Sequence, residues 1–260
     1  MRLYTIASKS EGCSACHLNR SCLPPRTIGS DALGKPYPSL ANVVGAKGSF
    51  VYRAGEPRRA YFLLRSGSAK AVVTDEQGRN CVTAFFLPTD LIGVSSLGRH
   101  TYADTLELLE RSSICELPAD TFEQQCAANH GLMRGMFGKM SKASELDRNA
   151  RLRINRIAAT ARLADFLIEI SVRLAALRHS PKNLTLPMSR HDIASHLSMA
   201  SETVSRAFHR LEDDGLVVVR GRQLEIVCLT ALSRCATESS ATPAESRRER
   251  LLPIADAKAR

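Results

Sequence analysis

The segment Cys13-Ser-Ala-Cys16-His-Leu-Asn-Arg-Ser-Cys22 places three thiols within ten residues, spaced x2 and x5. Thiolates so close can converge on one small object, and three are one ligand short of a four-cysteine zinc or iron–sulfur site. The fourth has to come from among Cys81, Cys115, Cys126, Cys228 and Cys235. Cys13-Ser-Ala-Cys16-His17 also matches the attachment pattern of c-type haem. Haem attachment of that kind requires export. Met1–Glu11 lacks the apolar core of an export signal, and the pattern leaves Cys22 unused. In a chain of 260 residues, a tight cysteine cluster reads as metal or redox chemistry rather than as a disulfide framework.

A second group of residues suits nucleic acid. In Ser201-Glu-Thr-Val-Ser-Arg206, Arg206 can donate twice to guanine O6 and N7, and Glu202 can accept from cytosine N4. Ser205 can touch a neighbouring base, while Arg210, Arg220 and Arg222 suit phosphates. A net charge of +10 and a pI near 9.5 agree with a polyanionic partner.

These side chains need scaffolds, and the hydrophobic pattern supplies three. Short β-rich runs recur from Phe50 to Leu117, separated by the turn signals Ala54-Gly-Glu-Pro57, Ser66-Gly-Ser68, Glu76-Gln-Gly-Arg79 and Leu87-Pro-Thr-Asp90. That spacing predicts an antiparallel sandwich or jelly roll. A short helix over 119–127 precedes a long one from Gly131 to about 155. Its seam of Met133, Phe137, Met140, Ser144, Asp147, Arg151 and Ile154 has heptad spacing. Such a seam predicts a dimer, and its polar second half predicts weak pairing. A further helix over 158–177 leads to a helix capped by Ser189 and another opening at Ser201, with Ile193, Ala194, Leu197, Val204 and Leu211 turned inward. Leu216–Val219 and Leu224–Val227 flank Arg220-Gly-Arg-Gln as a wing, and the chain from about Ala231 has the composition of a disordered tail.

The expectation is therefore an α+β protein in four parts. Residues 1–130 form the cysteine-rich N-terminus and an antiparallel β-roll, or jelly-roll, sensor domain. Residues 131–157 form the dimerisation helix, 158–232 a winged helix-turn-helix, and 233–260 a tail.

This order of parts resembles the Crp/Fnr family of bacterial transcription regulators over roughly residues 10–232. The x2, x5 cysteine spacing is that of the Fnr branch, and Ser112-Ser-Ile-Cys115-Glu-Leu-Pro118 is similar to the segment carrying that branch's fourth ligand. The resemblance implies an oxygen-labile [4Fe–4S] cluster on Cys13, Cys16, Cys22 and Cys115, with Cys126 the one substitute near Cys115 in sequence. It implies a cytoplasmic homodimer, an inverted repeat like TTGAT-N4-ATCAA, and contact with RNA polymerase around Glu76–Arg79. Asp147 matches the family's acidic seam residue, whose repulsion across the seam would hold the dimer apart. Arg151, one turn on, can offset that repulsion.

The family's cyclic-nucleotide branch holds phosphate with Gly-Glu and an arginine. Here Gly93 precedes Val94, and Tyr102-Ala103 stands at the arginine's place, so no cyclic nucleotide is expected. No nucleophile–base pairing or phosphate loop suggests an enzyme, and no window is apolar enough to span a membrane. Zinc on the same thiols, thiol redox sensing and an iron–sulfur electron-transfer module remain the alternatives. Only the last has no use for the helix-turn-helix.

Overall fold

The computed structural model describes residues 5–7, 16, 18, 22–23, 41–154 and 158–237; Cys13 and the chain beyond Thr237 lie outside them. Two antiparallel sheets build the first domain. One has the order β1-β2-β9-β4-β7, from Thr5–Ala7, Ala41–Gly45, Ser112–Pro118, Ala60–Ser66 and Leu91–Ile92. The other has the order β3-β8-β5-β6, from Phe50–Tyr52, Thr105–Leu108, Ala69–Thr74 and Asn80–Phe86.

Side-chain alternation along β4 explains how this domain is layered. Ala60, Phe62 and Leu64 enter the core between the sheets with Leu106, Leu108 and Ile114. Tyr61 and Leu63 face the other way, against Phe122 of α1 (Ala119–Ala128) and Leu132 and Met136 of α2 (His130–Ile154). Burial on both faces makes β4 a continuous apolar run. Gly67 then turns the chain into β5 at φ 83°, where a Cβ would stand 2.2 Å from Ser112 Oγ, so only glycine fits.

The second domain comprises α3 (Ala159–Ala176), α4 (Arg190–His196), α5 (Ser201–Asp213), α6 (Leu229–Thr237) and a three-stranded sheet. That sheet has the order β10-β12-β11, from Asn183–Thr185, Gln223–Ile226 and Val217–Arg220. One apolar cluster runs through it and includes Val82, Phe85 and Leu109 of the roll, so the two domains share a core.

The expected sandwich, long helix and winged helix-turn-helix are all present. One correction concerns the C-terminus. α6 occupies the expected start of the tail, because Leu232 and Ala236 are buried in the cluster that also takes Leu163, Phe166 and Leu167 from α3. The short strands β1 and β2 also lie outside the expected runs.

Candidate sulfur centre and nucleic-acid interface

The structure brings two of the proposed thiols onto one face. Leu23 is buried among Tyr61, Leu117, Phe122 and Leu132, which places it and the adjacent Cys22 on the helix side of the roll. Cys22 and Cys115 both pack, half-buried, against that same cluster. Cys115 sits on β9 between Asn42 and Leu63 of the neighbouring strands, and period-2 alternation puts it on the Leu117 face. Cys16 is also half-buried. Among the described residues no three histidine, cysteine or carboxylate groups converge as a metal site. The donor chemistry suits a thiolate-bound group, since a segment thiol and a strand thiol pack against one apolar cluster beside α2, although Cys16 is not brought together with them into a three-ligand group.

Cys126 lies deeper in that wall, with its Sγ 3.7 Å from Met136 Sδ. Burial, and then the charge of Glu123, pushes its thiol pKa up, as expected of a packing residue. Cys81 and Cys228 are exposed and remote from this wall, and Cys235 packs in the second domain.

α2 has two faces. Met136 and Arg153 are buried toward the protein's own core, whereas Phe137 is 55% exposed and Ser144, Asp147, Arg151 and Ile154 are exposed along the expected seam. Arg151 donates to the Asp147 carboxylate at 2.8 Å, the anticipated partner of that acid. Arg153, only 2% exposed, donates to Asp165 at 2.9 Å and to Glu169, tying the end of α2 to α3.

In the helix-turn-helix, Ser189 and Asp192 form a reciprocal capping box that starts α4. Val204, Ala207, Phe208 and Leu211 bury one side of α5 and leave Glu202, Arg206, His209 and Arg210 exposed on the other, with Ser201 and Ser205 half-exposed. Ser205 donates to the Ser201 carbonyl at 3.0 Å, so its hydroxyl hydrogen is engaged within its own helix. The wing turns at Gly221, φ 64°, and presents Arg220 to solvent. Arg222 differs from expectation. Its Nε donates to the Leu186 carbonyl at 3.1 Å and a terminal nitrogen donates to that of Pro187, so the guanidinium braces the strand entering α4.

Several residues escaped the sequence reading. Arg190 stacks on the Phe208 ring at 3.2 Å and joins the two helices of the motif. Lys70 of β5 donates to Asp192 at 2.7 Å across the domain boundary. Burial works to raise the Asp192 pKa, but the bonds from Lys70 and Ser189 and the Lys70 charge hold it below the ordinary carboxylate value. His196 lies between Phe85 and Phe166 at ring distances of 5.0 and 5.8 Å. Desolvation, and then the positive charge of Arg153, lowers its pKa to about 4 against opposing contributions from Glu169 and a backbone bond at Val82. The interior of the roll holds Tyr102 stacked on Tyr52 at 3.8 Å, with the Tyr52 hydroxyl donating to Asp104 at 2.8 Å.

Comparison with known proteins agrees with this architecture. Residues 43–129 match the model of a cyclic nucleotide-binding domain, and residues 161–235 that of a Crp-like helix-turn-helix domain. The chain is 32% identical to the transcriptional activator protein anr of Pseudomonas aeruginosa, over 86% of this chain and 91% of that protein. It is 31% identical to the transcriptional activator protein FnrA of Stutzerimonas stutzeri, over 92% and 97%. The fumarate and nitrate reduction regulatory protein of Escherichia coli is 29% identical over 86% and 90%. The solved structure of FixK2 from Bradyrhizobium japonicum shares the fold, with a TM-score of 0.69 at 24% identity over 77% of this chain and 98% of that one. A β-roll, a long helix and a winged helix-turn-helix in this order, with relatives aligned over nine-tenths of their length, place the chain in the Crp/Fnr family of transcription regulators.

Proposed function

We propose that the chain is a homodimeric DNA-binding regulator whose dimerisation and DNA affinity depend on an oxygen-labile [4Fe–4S] cluster held by Cys13, Cys16, Cys22 and Cys115. The observation that carries this reading is the packing of both Cys22 and Cys115 against the one apolar cluster formed with α1 and the first turns of α2. When bound, the cluster supplies a centre that oxygen destroys. The protein's own part is mechanical. Leu23 and Leu117 pack against Leu132 and Met136, so a group held by Cys22 and Cys115 would act on the wall that seats α2 and so on its outward seam. Two seams then pair and place two copies of α5 about one helical turn of DNA apart, over half-sites like TTGAT.

The exposed faces of α5 and the wing support direct reading by Glu202 and Arg206 with Arg210 and Arg220 on phosphates. The names of the relatives favour activation, with the exposed turn at Glu76–Arg79 as the contact for RNA polymerase. Val94 after Gly93 and Tyr102-Ala103 in place of an arginine leave the roll without the family's phosphate-holding pair, which favours a regulator without cyclic nucleotide. Among the described residues no helix is long and apolar enough to cross a membrane, and action on DNA fits the cytoplasm.

The test is binding to a TTGAT-N4-ATCAA duplex by protein purified without oxygen, before and after exposure to air. Affinity is expected to fall in air for the wild type and to be low throughout for Cys22→Ser and Cys115→Ser. Equal, tight binding by all forms in both conditions would overturn the reading.

A further inference from the structure

The helix-turn-helix is fastened to the sensor domain by two kinds of contact. One is apolar: Val82, Phe85 and Leu109 of the roll enter the core of the second domain. Apolar burial holds surfaces together but is non-directional, so it leaves the angle between the domains loosely defined. The other kind is directional and comes from three separate points. Lys70 of β5 donates to Asp192 of α4 at 2.7 Å, with 15% and 9% of the two side chains exposed. The backbone N–H of Val82, on β6 at the edge of its sheet, donates to Ser195 Oγ of α4 at 2.9 Å. Arg173 of α3 donates to the Phe85 carbonyl at 3.0 Å and to Asp90 at 2.5 Å. Lys70 and Phe85 face each other in register and Val82 lies three residues along β6, so the three contacts span a patch of two strands, and together they orient one body on the other.

The docked arrangement does not mask the recognition helix, since Glu202, Arg206, His209 and Arg210 are all exposed in it. The contact is therefore compatible with DNA binding, and its effect is to pre-organise the helix rather than to block it. Asp192 adds a local consequence, because the carboxylate that accepts from Lys70 also caps α4 through Ser189. The first helix of the DNA-binding motif is thus started and aimed by the same group.

We propose that Lys70 and Ser195 are specificity-determining residues for operator geometry: by fixing the helix-turn-helix on the roll, they set which spacing between half-sites the dimer accepts. The inference rests on the dimeric DNA-binding reading above. A dimer with rigidly aimed recognition helices tolerates one half-site separation, since each added base pair moves the second half-site along and around the duplex. A dimer whose helices pivot accepts several separations and binds each less well.

The test uses the full chain, purified without oxygen, on TTGAT repeats with spacers of three, four, five and six bases and on a single half-site. Lys70→Met removes the charge and leaves the α4 cap, Ser195→Ala removes the acceptor for Val82, and Lys70→Arg keeps a cation. Asp192 is avoided because its loss would also uncap α4. The double variant Lys70→Met/Ser195→Ala is expected to lose roughly tenfold or more of the wild-type preference for its best spacer, the scale of a charge-assisted hydrogen bond. Its affinity for the single half-site should stay within about twofold of wild type, which a misfolded helix-turn-helix would not allow, and Lys70→Arg should keep the preference. Wild-type spacer preference persisting in the double variant would overturn this inference alone. A wild type with no affinity for any of the repeats would overturn the DNA-binding reading and this inference with it.

Discussion

The Arg151 guanidinium donates to the Asp147 carboxylate at 2.8 Å, one turn along the same helix, on the seam that α2 turns outward. Across a symmetric dimer the two Asp147 carboxylates would repel, but each carries its own counter-charge, and both side chains are solvated. Asp147→Ala should therefore change dimer affinity in air by less than roughly threefold, the scale of an exposed ion pair. Arg151→Gln, which removes the charge and keeps a polar side chain, should weaken dimerisation more, and adding Asp147→Ala should restore it. Sedimentation of the three variants decides. A large gain in dimer from Asp147→Ala alone would mean that Arg151 offsets little.

Base reading and phosphate holding should separate by residue. Arg206→Ala should cost about 1–3 kcal/mol per half-site and relax preference at one G·C pair, because a bidentate donor is lost. Arg220→Ala should weaken all sequences alike and reduce the salt slope by about one. Arg222→Ala should instead lower thermal stability, since its guanidinium braces Leu186 and Pro187. Binding to single-base variants over a range of salt, with a melting curve for each protein, checks all three. An Arg222→Ala protein that melts like wild type and loses salt dependence would reassign that side chain to phosphate.

Acid should loosen the domain interface through His196. Its folded pKa, about 4, lies below the ordinary 6.5, so the unfolded chain binds a proton between those values and the folded one does not. The stability this group confers is complete above pH 6.5 and declines as pH falls toward 4. The gap corresponds to roughly 3 kcal/mol at most. Denaturant unfolding from pH 7.5 to 4.5 should show the decline in wild type and a shallower one in His196→Phe. Equal slopes for the two proteins would place the proton uptake elsewhere.

Much of this architecture was legible because local pattern and tertiary role coincide. β4 reads as a strand because both of its faces are buried, and α5 reads as a recognition helix because Val204 and Leu211 fix its inner side. What was not legible depends on distant pairing. Lys70 and Asp192 are 122 residues apart, and neither neighbourhood distinguishes a latch from an ordinary solvated charge. The last turns of α6 carry the composition of a tail because Leu232 and Ala236 are sparse among polar residues, and only their fit against the α3 core makes the segment a helix. Arg222 looked like a phosphate contact because charge on a wing gives no hint that nearby carbonyls will claim it. The packing of Cys22 and Cys115 against one cluster belongs to the same class, since strand β9 must first be seated beside β4.

The ligand set predicts an ordered series of losses. Cys115→Ser and Cys22→Ser should each abolish visible absorption and oxygen-sensitive DNA binding together. Cys81→Ser and Cys228→Ser, both on exposed positions, should change neither. Cys126→Ala should keep the absorption while losing stability, because its sulfur fills the core beside Met136. Absorption lost in Cys126→Ala but kept in Cys115→Ser would move the fourth ligand to Cys126.

The most direct measurement is the iron and acid-labile sulfide content of the wild-type chain purified without oxygen, read with its visible spectrum before and after air. About four iron and four sulfide per chain are expected, with a broad sulfur-to-iron absorption that bleaches in air. Stoichiometric zinc with no iron and no visible absorption would contradict the cluster reading.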